Sequence, residues 1–368
     1  MKTVVMTDGK YRSSIAAARV LGRAGYRVVV TQTRGDENGE PPVFASRYVS
    51  EHRWIDGAAA DPEYTDRLLD VLAECDHPVL LCVGAASLNA VAKCREEFAS
   101  VCDFLIAPPE VLDALNDKET VHRRCLELGI PVPRQYEGKP DTYPVVIKPH
   151  CGEKFGLKAA QRYAVANNEA EFDTHYARMS RYDPSPIVQE KIVGDGEGVS
   201  LLLGKKGELL GALCHRRIRE YPMTGGPSTC CVSFYDETMI EQAHALLKSF
   251  GFQGLGMVEF KGGRVLEVNP RIWGSFPLTE QAQSPIAALY AQAAAGETVE
   301  YTANDYRVGV RMRFLLNDTA AVLDYLRHGR VKKALGVVPD LLRAKEALGA
   351  KDDRAPFRKY LKRSLKRG

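Results

Sequence analysis

Three oxygen-bearing side chains, Glu259, Glu267 and Asn269, lie in a stretch that has the pattern of a β-hairpin. Two runs rich in β-branched and aromatic residues flank Gly262-Gly263, which predicts two antiparallel strands joined by a tight turn. Carboxylate and amide oxygens are the ligands that Mg²⁺ takes in proteins, often shared with phosphate groups. We therefore expect a Mg²⁺ site here, which Mn²⁺ could also fill. A solvent-facing polar stripe is the alternative, and two glutamates alone would favour it.

The length of the turn decides whether the two glutamates share a face, because side chains alternate between the faces of a strand. A two-residue turn (262–263) would place Glu259 opposite Leu266, with Glu267 on the other face. A three-residue turn (261–263) with a glycine bulge would bring both glutamates to one face. The apolar alternation favours the three-residue turn and predicts a buried opposite face formed by Val258, Phe260, Leu266 and Val268.

A lysine upstream suggests what such a metal would hold. Lys148 lies within the apolar run Tyr143–Pro149, and an ammonium group in such a run needs an anion or water, which indicates a bound phosphate. The polar, glycine-containing segment 150–156 that follows is suited to covering phosphates with its backbone N–H groups. A glycine-bearing hairpin turn is the alternative for this segment.

Arginines cluster in the stretch His215–Arg219, beside a second flexible loop at 225–229. Arginine binds carboxylate and phosphate groups through paired hydrogen bonds, so we expect the acidic substrate here, with Arg217 as its principal contact. A solvated basic strand is the competing interpretation.

These motifs, in this order, resemble the ATP-grasp superfamily. Its metal site consists of two acidic residues and an Asn within a closing E-x-N-x-R segment, matched here by Glu267-Val-Asn269-Pro-Arg271. The D-K…G-I-P-V-P stretch at 117–133 is similar to the entry of many members, which implies that Lys118 reaches a nucleotide phosphate. The segment 186–203 resembles the adenine hinge of the superfamily. The resemblance implies that Glu190 contacts the exocyclic amine of adenine and that the backbone of Lys191 and Ile192 contacts the ring edge. It also implies that Glu197 contacts the ribose hydroxyls.

The elements that must position these residues begin with an N-terminal block. Residues 1 to about 115 alternate apolar strands with helices, which predicts a parallel sheet covered on both faces. Asp8-Gly9 and Ser13-Ser14 could offer N–H groups and hydroxyls to an anion, although a plain helix N-cap is at least as favoured. The strands are expected at Thr3–Thr7, Arg27–Thr31, Pro78–Val83 and Phe104–Ala107.

The predicted class is α/β, with an α+β catalytic part: an ATP-grasp fold that follows a Rossmann-like N-terminal parallel-sheet domain. The expected divisions are 1–115 for the N-terminal domain, 116–186 for the small ATP-grasp subdomain and 187–303 for the large one. Residues 304–368 would form a C-terminal strand at Tyr306–Phe314, two helices and a basic tail.

The composition is that of an ordinary soluble protein, and a formal net charge of +3 is too small to indicate nucleic acid as a partner. No apolar run reaches the ~18 residues needed to span a bilayer and no signal-peptide pattern is present, so a cytoplasmic protein is expected. The nine cysteines contain no C-x-x-C pair and predict neither disulfides nor zinc. The basic tail from Lys351 onward is typical of a solvated helix or a disordered terminus, with contact to a membrane surface as a less favoured alternative.

The predicted function is an ATP-dependent carboxylate-amine ligase, which forms an amide or peptide bond through an acyl phosphate and releases ADP and phosphate. The combination H-R-R-I-R…G-G-P-S-T and E-V-N-P-R-I-W-G-S is most similar to the carbamoyl-phosphate-synthase-like group that includes D-aspartate ligase. Arg271 and Arg217 would stabilise the transferring phosphoryl group and the tetrahedral oxyanion. The expected partners are a small-molecule acid and amine, and a homodimer is common among similar enzymes. Two alternatives are a bicarbonate-using carboxylase or carbamoyl-transfer enzyme, and a non-catalytic nucleotide-binding or scaffold protein.

Overall fold

The computed structural model describes residues 2–34, 39–151, 157, 161–222 and 226–365. Most of the predicted phosphate-covering segment 150–156 and the first residue of the loop 225–229 therefore lie outside the described residues. The nine cysteines are free thiols. None of the helices in the described ranges is both long and apolar enough to cross a membrane.

Four short strands form the N-terminal sheet: β1 (Thr3–Met6), β2 (Arg27–Thr33), β3 (Glu51–Ile55) and β4 (Val79–Leu81). Neighbouring strands are parallel, in the order β3-β2-β1-β4, which confirms the predicted α/β class and the Rossmann-like parallel sheet. The helices of this part are α1 (Arg12–Arg23), a 3-10 helix (Pro42–Ala45), α2 (Tyr64–Ala73), α3 (Ala85–Lys93) and α4 (Arg95–Ala99).

The N-terminal sheet differs from expectation at two places. Strand β3 was not predicted, because its only buried side chain is Ile55 and no apolar run marks it. The predicted strand Phe104–Ala107 is wrong, since this part of the backbone forms only a bridge between Asp103 and Val79. Leu105, Ile106 and Ala107 are buried in a connection without regular structure instead, and a short apolar run cannot distinguish these two structures.

A small antiparallel sheet follows, in the order β6-β5-β7. Asp117 caps helix α6 by accepting a hydrogen bond from the Thr120 amide (2.7 Å), and this cap fixes Lys118 in the first turn. Strand β7 belongs to this sheet although it lies after the proposed division at 186. The elements are α5 (Pro109–Asn116), α6 (Lys118–Glu127), β5 (Val145–Lys148), β6 (Ala164–Ala166), α7 (Glu169–Met179) and β7 (Ile187–Glu190).

The largest sheet has seven strands in the order β12-β11-β8-β9-β10-β13-β14. They are β8 (Gly196–Leu203), β9 (Leu209–Glu220), β10 (Ser228–Phe234), β11 (Gly254–Lys261), β12 (Arg264–Asn269), β13 (Arg311–Arg313) and β14 (Lys345–Glu346). Helix α8 (Glu237–Ser249) packs on this sheet through its apolar face. Strands β7 and β8 are neighbours in sequence but lie in different sheets, so residues 191–195 join the two sheets.

The C-terminal part is mainly helical. The predicted strand Tyr306–Phe314 shortens to β13. Of the two predicted C-terminal helices, the second was expected at 338–348 and ends at Arg343, before β14. The helices are α9 (Pro277–Gln281), α10 (Ile286–Ala294), α11 (Leu315–Arg327), α12 (Val331–Leu335), α13 (Val338–Arg343) and α14 (Ala355–Leu365).

Two buried arginines attach this C-terminal part to the rest of the chain. Arg19 of α1 is fully buried, and its Nε donates to Asp353 Oδ2 at 2.9 Å. Arg219 of β9 donates to Asp318 (2.7 Å from Nε) and to Asp340 (2.6 Å from NH1). Both arginines therefore have carboxylate partners in segments that are distant in sequence.

Candidate active site

Glu259 and Glu267 face each other across β11 and β12. The turn between these strands has two residues, Gly262 (φ 54°) and Gly263 (φ 72°), so the predicted three-residue turn is wrong. A bulge in β12 at Leu266 shifts the register by one residue and gives the two glutamates the common face that was expected. Val265, which is 2% exposed, takes the place predicted for Leu266 on the apolar face.

The row of paired residues continues into the neighbouring strands. Glu259 pairs with Gly198 on β8, which pairs in turn with His215 on β9. Residues paired in this way project from the same face of a sheet. Gly198 leaves space in the row, because a Cβ here would lie 2.3 Å from His215 Cε1 and 3.0 Å from Met257 Sδ.

Arg217 uses the space left by Gly196 of β8. Its NH2 lies 2.6 Å from Glu259 Oε2, so the side chain crosses from β9 over β8 to β11. A Cβ at Gly196 would come within 3.0 Å of Arg217 Cδ. The carboxylate of Glu259 raises the pKa of Arg217 above its ordinary value, which keeps the guanidinium charged beside the glutamates.

Two lysines approach the same hairpin. Lys118 Nζ at the start of α6 lies 3.2 Å from Glu267 Oε2. Lys148 Nζ at the end of β5 lies 3.5 Å from the carbonyl oxygen of Leu266, the bulge residue. Burial and the neighbouring ammonium group of Lys118 lower the pKa of Lys148 to about 8. Among the described residues, Lys148 has no carboxylate partner within salt-bridge distance.

The two glutamates have different protonation tendencies. Burial raises the pKa of Glu259 above its ordinary value, although Arg217 opposes this change. Burial also acts to raise the pKa of Glu267, but Lys118 and Lys148 outweigh it, so that this pKa is lowered. A proton shared by the pair is therefore held more strongly by Glu259.

Asn269 lies beside the two glutamates and adds an amide oxygen to their carboxylate oxygens. Its Nδ2 donates to Glu259 Oε1 at 3.3 Å, which leaves the amide oxygen for another partner. In the described parts of the chain, no three His, Cys, Asp or Glu side chains gather to hold a metal ion. The two carboxylates and one amide fit Mg²⁺ if phosphate or water supplies the other oxygens.

Residues 115–275, which contain all of these side chains, match the ATP-grasp domain family. The chain contains an ATP-grasp domain. Solved structures that share its fold include a biotin carboxylase–β-γ-ATP complex from Campylobacter jejuni, with a TM-score of 0.63 and 15% identity over 84% of this chain and 74% of that chain. No curated protein sequence matches this chain.

Two further structures of this fold have different activities. An L-amino acid ligase from Bacillus licheniformis has a TM-score of 0.57 and 14% identity, with 80% of this chain and 74% of that chain covered. An N5-carboxyaminoimidazole synthetase from Staphylococcus aureus has a TM-score of 0.60 and 16% identity, with 90% of this chain and 86% of that chain covered. At these identities the likeness concerns the fold, which confirms the predicted ATP-grasp architecture.

The predicted adenine hinge of the ATP-grasp domain lies beside the glutamate hairpin. Glu190 ends β7, and its Oε1 accepts a hydrogen bond from the Arg134 amide (2.9 Å) and lies 3.5 Å from Arg264 Nε on β12. The Lys191 amide donates to the Pro144 carbonyl (3.2 Å). Ile192 is next to the turn of the hairpin, because a Cβ at Gly262 would lie 3.0 Å from its Cγ2.

Glu197 is separated from the other predicted residues of the ATP-grasp domain. It pairs with Phe260, so it projects from the face opposite to Glu259, and its Oε1 accepts a hydrogen bond from Arg216 Nε (2.8 Å). Among the three arginines of His215–Arg219, Arg217 is the one that pairs with Glu259. The role predicted for Glu197 at the ribose hydroxyls therefore has no support from a contact between Glu197 and the glutamate hairpin.

Arg271 lies just beyond β12, and its NH1 donates to the Ile272 carbonyl at 3.1 Å. The sequence reasoning missed a buried pair close to this segment, in which His215 Nε2 and Ser275 Oγ lie 3.1 Å apart. Burial and the charge of Arg217 lower the pKa of His215 to about 3, so the imidazole is neutral. The alternation of His215 with Arg217 along one strand was a signal that could have identified it.

The N-terminal donors proposed for an anion are engaged within the chain. The Gly9 amide donates to the Thr31 carbonyl (3.0 Å), and Ser14 Oγ donates to the Asp8 carbonyl (2.8 Å). The alternative of a serine N-cap also does not hold, because the residue before α1 is Tyr11 and no side chain caps the helix.

Proposed function

We propose that this chain is an ATP-dependent ligase that joins a small-molecule carboxylate to an amine, through an acyl phosphate, with release of ADP and phosphate. The observation that carries the proposal is a cluster in which Lys118 pairs with Glu267, Arg217 pairs with Glu259, and Lys148 lies beside the bulge of the same hairpin. Three cationic groups face two carboxylates, so the cluster has an excess of positive charge that suits a polyphosphate.

The base of ATP is assigned to the hinge between the two sheets. The Lys191 amide is engaged by Pro144, whereas the Ile192 amide has no backbone partner among the described residues. The ring edge would therefore contact the Lys191 carbonyl and the Ile192 amide, with Glu190 at the exocyclic amine. We keep Glu197 as the ribose contact, for which it would have to leave Arg216.

The residues of the cluster have distinct roles in this proposal. Lys118 and Lys148 bind phosphate oxygens, and a phosphate that draws Lys118 away frees Glu267 for a metal. Mg²⁺ held by Glu259, Glu267 and Asn269 would neutralise charge on the β- and γ-phosphates. Such a reaction depends on positioning and electrostatics more than on a dedicated base.

The bond changes follow from the class of reaction. A carboxylate oxygen of the acid forms a bond to the γ-phosphorus while the bond to ADP breaks, beside Arg217 and Arg271. The amine nitrogen then attacks the acyl carbon, and the bond to phosphate breaks. The two guanidinium groups are placed to stabilise first the transferring phosphoryl group and then the oxyanion.

The test is a matrix of acids and amines with purified protein, ATP and Mg²⁺. ADP and phosphate should form in equal amounts, together with a product that has the mass of acid plus amine minus water. D-aspartate and other amino acids are the first acids to use, because of the resemblance to the D-aspartate ligase group. The Glu267→Gln variant should lose the activity, whereas Glu300→Gln, at an exposed position outside the cluster, should keep it. Absence of ADP and phosphate across the whole matrix would refute the ligase.

A bicarbonate-using reaction is the second candidate, because the similar solved structures include biotin carboxylases. It would release phosphate from ATP with bicarbonate and without any organic acid, so a bicarbonate arm in the same experiment separates the two. Biological activity that survives in Glu267→Gln would instead favour a non-catalytic role.

The assembly is a separate proposal. A similar solved structure, the biotin carboxylase domain of the Hydrogenobacter thermophilus 2-oxoglutarate carboxylase, is described as a dimer. We propose a homodimer for this chain as well. Light scattering on the purified protein decides between dimer and monomer.

A further inference from the structure

The surface formed by residues 323–343 is unusually apolar, and we call it the leucine patch. Half of the exposed large hydrophobic side chains in the described parts of the chain belong to it. Leu342 is 95% exposed and Leu335 is 61% exposed, so these side chains protrude from the surface. The apolar members are Leu323, Leu326, Val331, Leu335, Val338, Leu341 and Leu342.

Most of these side chains lie on one side of a helix. Gly336 (φ −58°) and Val337 (φ −71°), between α12 and α13, have helical dihedral angles, so the two helices form a nearly continuous one. Residues separated by three or four positions share one side of a helix, and the series Val331, Leu335, Val338 and Leu342 has this spacing. The helix therefore presents an apolar stripe to the outside.

A buried ion pair fixes the orientation of this helix. Asp340 is fully buried, and it accepts hydrogen bonds from Arg219 NH1 and Arg311 NH1, both at 2.6 Å. Ala334, also buried, packs with Tyr325 of α11. Because Asp340 and Ala334 hold the inner side of the helix against the protein, the leucine stripe is directed outward by the fold itself.

The charges of the leucine patch have one sign. Both acidic side chains of this stretch are turned inward: Asp324 is 16% exposed and contacts His328, and Asp340 is 0% exposed. A second copy of this surface would bring cations against cations, which is unfavourable. An anionic partner complements it instead. The exposed basic residues are Arg327, Arg330, Lys332, Lys333 and Arg343.

We propose that the leucine patch docks the protein on the surface of an anionic lipid membrane. Protruding leucines and valines can enter the boundary between headgroups and acyl chains without a preformed groove on the partner, and the surrounding lysines and arginines attract anionic headgroups. The helix lies along the membrane surface in this arrangement. The proposal does not depend on the reaction that the ATP-grasp domain performs.

The test is co-sedimentation of the full chain with lipid vesicles. Binding is expected to vesicles that contain phosphatidylglycerol, with little binding to phosphatidylcholine alone and a decrease with added salt. Leu335→Ser and Leu342→Ser should each lower the ratio of bound to free protein about tenfold, since each removes one apolar side chain that the membrane would bury. Lys332→Gln should lower it about fivefold, the contribution of one basic residue near an anionic surface.

Leu126→Ser is the matched control, because Leu126 is also a helical leucine and is 60% exposed. It should bind vesicles like the unaltered protein, and all variants should keep the unfolding midpoint. Equal binding of Leu342→Ser and the unaltered protein would overturn the proposal. A failure to bind anionic vesicles would also overturn it. A dimer that Leu342→Ser dissociates would then show that the patch joins two copies of the chain, and binding of an acidic amphipathic peptide would show a peptide partner.

Discussion

Arg217 reaches across a whole strand of the large sheet to bind Glu259, with 2.6 Å between NH2 and Oε2. The strand that it crosses carries Gly196 below its path, where a Cβ would lie 3.0 Å from Arg217 Cδ, and Gly198 in the row of Glu259 and His215. The absence of a side chain at Gly196 leaves room for Arg217, and its absence at Gly198 leaves room for His215. Neither glycine has a positive φ, so the reason for them within β8 is space rather than backbone conformation.

Gly198→Ala is expected to damage both stability and activity. Its Cβ would lie 2.3 Å from His215 Cε1, so His215 must shift, which should cost about 1–3 kcal/mol of the free energy of unfolding. Urea denaturation measures this cost, and release of ADP measures the effect on the site. Gly274→Ala is the control for stability, because a Cβ there meets nothing within 4 Å. Equal denaturation midpoints for Gly198→Ala and the unaltered protein would contradict the steric argument.

Lys148→Met is expected to stabilise the protein without nucleotide while weakening ATP binding. The pKa of Lys148 is lowered from 10.5 to about 8 in the folded chain. Between these pH values the unfolded chain binds the proton and the folded chain does not, so this lysine makes the free energy of unfolding rise with pH. Below about pH 8 the folded chain must keep the charged lysine in unfavourable surroundings.

Denaturation of Lys148→Met at several pH values checks this sign. The variant should be more stable than the unaltered protein at pH 7, and the difference should shrink as the pH rises from 8 to 10.5. Its KM for ATP should be higher. Lys206→Met, at an exposed lysine, should change neither property. A difference in stability that does not depend on pH would show that the charge of Lys148 is not its cause.

Glu267→Gln is expected to raise the Mg²⁺ concentration for half-maximal activity by tenfold or more, if any activity persists. The amide keeps the shape of the side chain and removes its negative charge, which also releases Lys118 from its ion pair. Thermal unfolding with ADP and increasing Mg²⁺ provides a measurement that does not need the substrates. Glu300→Gln should respond to Mg²⁺ like the unaltered protein, and an identical response of Glu267→Gln would exclude this glutamate as a ligand.

Arg219→Met is expected to destabilise the protein by about 3–5 kcal/mol, because it leaves buried Asp318 without a cationic partner and leaves buried Asp340 with Arg311 alone. The variant Arg34→Met, at a side chain that is 60% exposed and pairs with Asp56, should change stability by about 0.5 kcal/mol or less. Chemical denaturation gives both values. Conversion of both aspartates to asparagine in the Arg219→Met background should recover part of the loss.

The hairpin shows how far local sequence patterns could predict this site. Alternation placed Glu259 and Glu267 on one face, and the lysine embedded in an apolar run, Lys148, lies beside their hairpin. The bulge at Leu266 was beyond prediction, because the choice between a bulge and a longer turn depends on the partners of β12. One of these partners is Lys148 itself, which contacts the carbonyl oxygen of Leu266.

Contacts between distant segments account for most of the rest. The stretch His215–Arg219 reads as three equivalent arginines, yet Arg216 pairs with Glu197, Arg217 with Glu259, and Arg219 with Asp318. Their partners come from three other parts of the chain. Likewise, β3 has no apolar run because it lies at the edge of its sheet, and pairing with β2 defines it.

The contact between Arg19 and Asp353 constrains the order in which the protein can fold during synthesis. The guanidinium is fully buried and its partner Asp353 lies 334 positions later, so a ribosome must add those residues before the two can meet. Its second carboxylate partner, Glu280, is also made long after the helix. Until these carboxylates are present, helix α1 carries a cation that it cannot bury without a large desolvation cost. The helix that packs against the parallel sheet is thus fixed in place by residues that are synthesised much later.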